Sequence, residues 1–220
     1  MENAIQFIFY LVILLFSVVI HEISHGYAAL ALGDTTAKDA GRLTLNPIPH
    51  IDPFGSIILP LLLAIPAFFG QPTILLGWAR PVPYNPYRLR NARWGSALVG
   101  AAGPISNILL AMIFGLLVRF LPSVIGAVSG AFVINFLSIA STIVLVNLIL
   151  ALFNLVPIPP LDGSKVLFAA LPFGWQWIQM TLERYGFFLL LFFIFFFSQW
   201  LVPVVLFLFR FITGSLPLIF

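Results

Sequence analysis

Two imidazoles and a carboxylate stand within five residues at His21-Glu22-Ile23-Ser24-His25, the far end of an apolar run that begins near Ala4. On a helix, positions i and i+4 share a face, so His21 and His25 can offer ring nitrogens to one Zn²⁺ per chain. Glu22 then sits beside the metal as a general base, the H-E-x-x-H arrangement by which a metallopeptidase hydrolyses an amide. The chain has only three histidines. Two of them at this spacing, in a segment of membrane-spanning character, mark a functional site, because an imidazole without a partner is costly to bury in an apolar setting.

Such a site needs a third protein ligand and keeps a fourth position for water. The chain lacks cysteine, which leaves His and carboxylate side chains. His50, Asp52 and Asp162 are the main candidates, with Asp34 and Asp39 behind them. Asp162 is favoured because the span preceding it returns to the membrane face that carries the histidines, although the loop holding His50 and Asp52 reaches that face too.

The elements that position these residues must be built for lipid. With 61% hydrophobic residues, 8% charged residues and a mean hydropathy of +1.12, the composition is that of a polytopic membrane protein. A length of 220 residues gives room for about five or six spans and short connections. It leaves no space for an appended soluble domain, so regulation is expected from a separate membrane protein. The net charge of +3 comes from scattered arginines, which set orientation and offer no basic tract to nucleic acid. Glu2 precedes the first apolar run without any Lys or Arg, and no small-residue cleavage site follows it, so the run reads as a retained span.

The expected architecture is all-α and polytopic, five to six transmembrane helices in a single domain with its core over 1–165 and C-terminal helices over 166–220. The first helix is expected from about Ala4 to Leu32, ended by Gly33 and Asp34. The stretch Ser56 to Gly70 carries Pro60 and Pro66 and is too short for a full span, so it dips in from mid-membrane. Prolines at 72, 81, 83 and 86 favour extended backbone over Gln71 to Pro86, which is tolerated at membrane depth only against protein or a wet cavity. Pro81 and Pro83 lack donors on one edge of that segment, leaving Trp78, Ala79, Arg80, Val82 and Tyr84 with N–H groups to pair with an unwound substrate. Trp78, Arg80 and Val82 are therefore expected substrate contacts. Arg80, Arg88, Arg90 and Arg93 place their loop in the cytoplasm, and the site with it, in an inner or plasma membrane.

Small residues from Gly95 to Gly103 open the segment Trp94 to Leu121 and let another helix approach closely. Asn107 on that helix is either an interhelical hydrogen-bond partner or a substrate contact. A further span, Gly130 to Asn154, ends in NLVPIPPLDGSK, where prolines break the helix just before Asp162. Beyond it come a helix at Val166 to Leu171, an interfacial stretch at Trp175 to Arg184, and a last span at Gly186 to Phe209 whose aromatics face lipid.

Taken together, HEISH and the sequence Asn154 to Gly163, read as N-x-x-P-x-P-P-L-D-G, resemble the two signatures of the site-2 proteases, zinc metalloproteases that cut within membranes. LNPIPHIDPFG, GWARPVPYNP and AAGPISN extend the resemblance over most of the chain up to Lys165, and it is to the small branch without PDZ or CBS domains. The resemblance implies that Asp162 ligates zinc with His21 and His25, that Glu22 activates water, and that Asn154 holds the substrate carbonyl or oxyanion. It also implies transmembrane proteins as substrates and the lipid bilayer as surroundings. Two other classes share these residues: a transporter using His21, His25 and Asp162 as an ion or proton path, and a membrane zinc hydrolase of another amide.

Overall fold

A computed structural model describes residues 2–59, 61–62, 65, 77–125 and 130–215. Helices dominate, as the composition requires. They are α1 (Glu2–Ala31), the short α2 (Thr36–Asp39), α3 (Ala92–Ile125), α4 (Ala131–Asn154), α5 (Asp162–Ala170), α6 (Gln176–Phe196) and α7 (Leu201–Thr213). Backbone groups have no water to bond within a bilayer, so each apolar run closes its own hydrogen bonds as helix. Among the described residues, four stretches are long and apolar enough to cross a membrane: Ile8–Ala31, Ala92–Ser123, Phe132–Asn154 and Phe173–Phe196. The chain is an all-α, multi-pass integral membrane protein.

Helix α1 ends where expected. Gly33 adopts a left-handed φ of 105°, which only glycine takes without strain. Asp34 then accepts hydrogen bonds from the N–H and hydroxyl of Thr36, starting α2. Helix α3 continues through Pro104 and packs on α1 along one side and on α4 along another. Its N-terminal half also meets α5. A core of Ala111, Val144, Leu148, Val205 and Phe209 joins α3, α4 and α7. A second cluster, Ala29, Leu89 and Val99, fastens the end of α1 to the start of α3.

The last span differs from the sequence reading. Trp175 to Arg184 is not a separate interfacial piece but belongs with the first half of α6, which continues to Phe196. A 3₁₀ turn at Ser198–Trp200 then breaks the run expected to Phe209. Pro203 supplies the reason: it has no N–H and its ring clashes with the preceding turn, so it is accommodated in the first turn of a new helix, α7. The dipping segment expected over Ser56 to Gly70 is described only at 56–59, 61–62 and 65, and residues 71–76 of the expected extended segment lie outside the described residues. The described part, 77–85, is irregular and contains no helix.

Candidate active site

His21 and His25 lie on the inner face of α1 and are 6% and 7% exposed, so they are shielded from lipid. Each ring is held at Nδ1. His25 Nδ1 donates to the Val99 carbonyl at 2.6 Å, and His21 Nδ1 donates to Asn107 Oδ1 at 2.6 Å. A carbonyl can only accept, which puts a proton on Nδ1 of each ring and leaves Nε2 of the neutral imidazole as the atom able to ligate a metal. The two Nε2 atoms are 3.1 Å apart. Asp162 Oδ2 stands 3.0 Å from one and 3.1 Å from the other.

With both rings neutral, these three atoms are acceptors that a cation among them would hold together. Tetrahedral zinc ligands at their usual bond lengths lie about 3.3 Å apart, close to this triangle. The donor set, two imidazoles and one carboxylate, suits Zn²⁺. The residues present therefore fit the metal. Glu22 also approaches, its carboxylate lying within 4.8 Å of the ring nitrogens. Its Oε2 accepts from the Val82 N–H at 2.8 Å, so it is tethered to the extended segment beside the triangle instead of completing it.

Helix α3 makes the rear wall. A Cβ on Gly103 would fall 2.5 Å from His25 Nε2 and 2.6 Å from His21 Nε2, so only glycine lets the histidines come this close to α3. One turn on, Asn107 is fully buried and donates to Asn147 Oδ1 at 2.7 Å and to the Ser17 carbonyl at 3.3 Å. Asn147 in turn donates to Ser17 Oγ at 2.9 Å and to the Ile143 carbonyl at 2.8 Å. This chain of bonds across α1, α3 and α4 aims His21. Asn107 thus makes its hydrogen bonds between helices, in the interior of the bundle. Asn147 was legible only as a lone amide inside an apolar span, and Ser17 carried no signal at all.

Helix α5 brings Asp162 to the histidines. Arg93, counted in the sequence as an orientation charge, closes the far end of this helix by donating Nε to Ala169 O at 2.7 Å and Nη2 to Leu171 O. Cations at a helix C-terminus satisfy its orphan carbonyls.

The segment 77–85 crosses beside Glu22 with its alternate donors engaged. Trp78 N–H bonds Gly55 O at 3.2 Å, Arg80 N–H bonds His50 O at 2.9 Å and Val82 N–H bonds Glu22. Arg42 holds the carbonyls of Arg80 and Pro81 at 2.7 and 3.3 Å. Asp34 Oδ2 takes the Asn85 N–H at 2.6 Å. Burial alone would raise the Asp34 carboxyl, but the bonds from the Thr36 hydroxyl, the Asn85 N–H and the Thr36 N–H, with the charge of Arg88, hold it below the ordinary carboxylate value. Trp78 and Arg80 keep exposed side chains, whereas Val82 is buried and turned toward Gly26 of α1.

His50 and Asp52 are engaged elsewhere. His50 is buried with Nε2 on Thr44 O at 3.0 Å, and Asp52 Oδ1 accepts from the N–H groups of Phe54 and Gly55. Asn154 closes α4, where its Nδ2 donates to Leu150 O at 2.9 Å.

Comparison with known proteins follows the same line. The family model of peptidase family M50 matches residues 121–197. A Bacillus subtilis protein named "Putative zinc metalloprotease YwhC" is 41% identical over 186 residues, 83% of this chain and 80% of that protein. "Putative zinc metalloprotease Rip2" of Mycobacterium tuberculosis is 32% identical over 70% of this chain and 53% of its own length. "Putative zinc metalloprotease MJ0611" of Methanocaldococcus jannaschii is 36% identical over 40% of each. No solved structure matches the chain. With an H-E-x-x-H helix whose imidazoles converge where a metal could be held, and a relative matched over four-fifths of its length, the chain belongs to peptidase family M50, the site-2 protease family of zinc metalloproteases.

Proposed function

We propose that this zinc metalloprotease cuts peptide bonds within or beside transmembrane segments of other membrane proteins. The observation that carries the reading is depth. His25 and His21 precede the end of α1 by six and ten residues, so the site lies about 9 to 15 Å inside the span, walled by α3 and α5. A protease acting on soluble loops gains nothing from that placement.

In this reading His21 Nε2, His25 Nε2 and Asp162 Oδ2 hold one zinc. The bound metal supplies a Lewis acid that acidifies water and polarises a peptide carbonyl. Glu22 takes the proton from the attacking water and passes it to the leaving amine, with the Val82 N–H keeping its carboxylate aimed. Asn154 gives one amide N–H to Leu150 O, and its second serves the developing oxyanion, a contact of a kind that contributes about 3 to 4 kcal/mol. The unwound substrate lies against the exposed Trp78 and Arg80. The Arg80 to Arg93 cluster turns this end of the bundle to the cytoplasm of an inner or plasma membrane, with a separate membrane protein governing access.

The test is purified protein in lipid vesicles, incubated with single-span membrane proteins with and without a zinc chelator, and the cut sites mapped by mass spectrometry. Chelator-sensitive cuts inside or within a few residues of the span are expected. Cuts confined to soluble loops would overturn the proposal. Orientation is read separately by introducing a cysteine at position 91, which an impermeant reagent should reach only from the cytoplasmic side.

A further inference from the structure

Asp162 has a second oxygen, and the structure shows what occupies it. While Oδ2 faces both histidines, Oδ1 accepts from Lys165 Nζ at 2.9 Å, one turn along α5. Asp162 is 7% exposed, so Oδ1 has little water to fall back on. The fold makes room for this lysine. A Cβ on Gly100 of α3 would fall 2.9 Å from Lys165 Cδ and 3.0 Å from its Cβ, so the lysine stem lies flat against α3. Its ammonium stands 5.4 Å from the centroid of the Tyr84 ring, in cation–π range. Lys165 also forms part of the wall of an open cavity of about 770 Å³ shared with Tyr84, Pro159 and Phe168.

We propose that Lys165 is a positioning residue for the zinc site: it occupies Oδ1 of Asp162 so that this carboxylate presents a single oxygen to the metal and the fourth position stays open to water. The inference rests on the reading of Asp162 as a zinc ligand. A carboxylate relieved of its outer partner in a buried site swings its second oxygen toward the remaining cation. The metal then gains a ligand and water loses access. Lysine suits this task because its stem follows the helix while its compact charge stays on one oxygen.

The experiment compares wild type, Lys165→Met, Lys165→Gln and Lys165→Arg in detergent, by zinc content, by the visible spectrum of the Co²⁺-substituted protein and by steady-state cleavage of a single-span substrate. Lys165→Met is expected to lose about 10- to 100-fold in kcat with little change in KM, while its Co²⁺ bands weaken toward those of a higher coordination number. Lys165→Arg should restore both spectrum and rate, and Lys165→Gln should fall between. If Lys165→Met is not recovered folded, the Gln and Arg proteins carry the same comparison. Wild-type spectrum and kcat in the Met or Gln protein would overturn the inference. So would a raised KM with an unchanged spectrum, which would place Lys165 on the substrate through the cavity. Full zinc in Asp162→Ala would instead remove the reading beneath it.

Discussion

Two ends of one chain are held by different forces. At the α1–α3–α5 corner, directional bonds fix nearly every group: both imidazoles are aimed through Nδ1, Glu22 through a backbone N–H, and Asp162 through a charged neighbour. Helix α6 shows the opposite. Only 6% of its membrane-spanning window is buried, and Phe187, Phe188, Phe192 and Phe195 are 53% to 69% exposed. Lipid tails are as apolar as these side chains, so little distinguishes one rotation of such a helix from another beyond a few close contacts, the Phe153–Phe193 ring pair among them. Gly186 against Pro159 is another. The contrast teaches that chemistry, not stability, accounts for the polar groups at membrane depth.

Breaking the first region should have the largest consequences. His21→Ala, His25→Ala or Asp162→Ala should each empty the zinc site and abolish cleavage, whereas Glu22→Gln should keep one zinc per chain and still lose activity. Metal analysis beside a cleavage assay reads both, and an equally empty Glu22→Gln protein would show that Glu22 is a ligand and not a base. Gly103→Ala should come next, since a methyl group at 2.5 to 2.6 Å from both ring nitrogens must displace them. Overpacking of this kind costs about 1 to 3 kcal/mol, and zinc affinity should fall with it in a chelator titration.

A smaller effect belongs to the rim. Because the folded-state pKa of Asp34 is depressed, its contribution is present in full above the ordinary carboxylate value of about 3.9 and is lost as pH falls through the lower folded value. Asp34→Asn should cost about 1 to 3 kcal/mol near neutrality, because its amide faces the Asn85 N–H. Unfolding followed in detergent from pH 7 to pH 3 should show the gap between the two proteins beginning to narrow at the acid end. A gap that widened with acid would refute the assignment. On α6, Phe195→Leu should change stability by less than about 0.5 kcal/mol. A larger loss there would mean that α6 is held by protein contacts, and the comparison would fail.

Part of this protein was readable without coordinates. Apolar runs of span length declare helices because lipid permits few alternatives, and His21, Glu22 and His25 lie on one helix, where local geometry alone sets their spacing. The small face at Gly100 and Gly103 was legible as a close-packing surface, though not what it packs against. Folding decided the rest. Asp162 is 141 residues from His21, and neither pattern nor period measures that distance. Donors at Trp78, Arg80 and Val82 read as open edges for a substrate, yet the chain bonds all three itself, since an unpaired N–H at membrane depth is too costly to leave waiting. Asn107, Asn147 and Ser17 sit on three separate helices, and each alone is an ordinary polar residue. Only their meeting aims a histidine, because a hydrogen bond depends on the position of both partners and a sequence specifies one at a time.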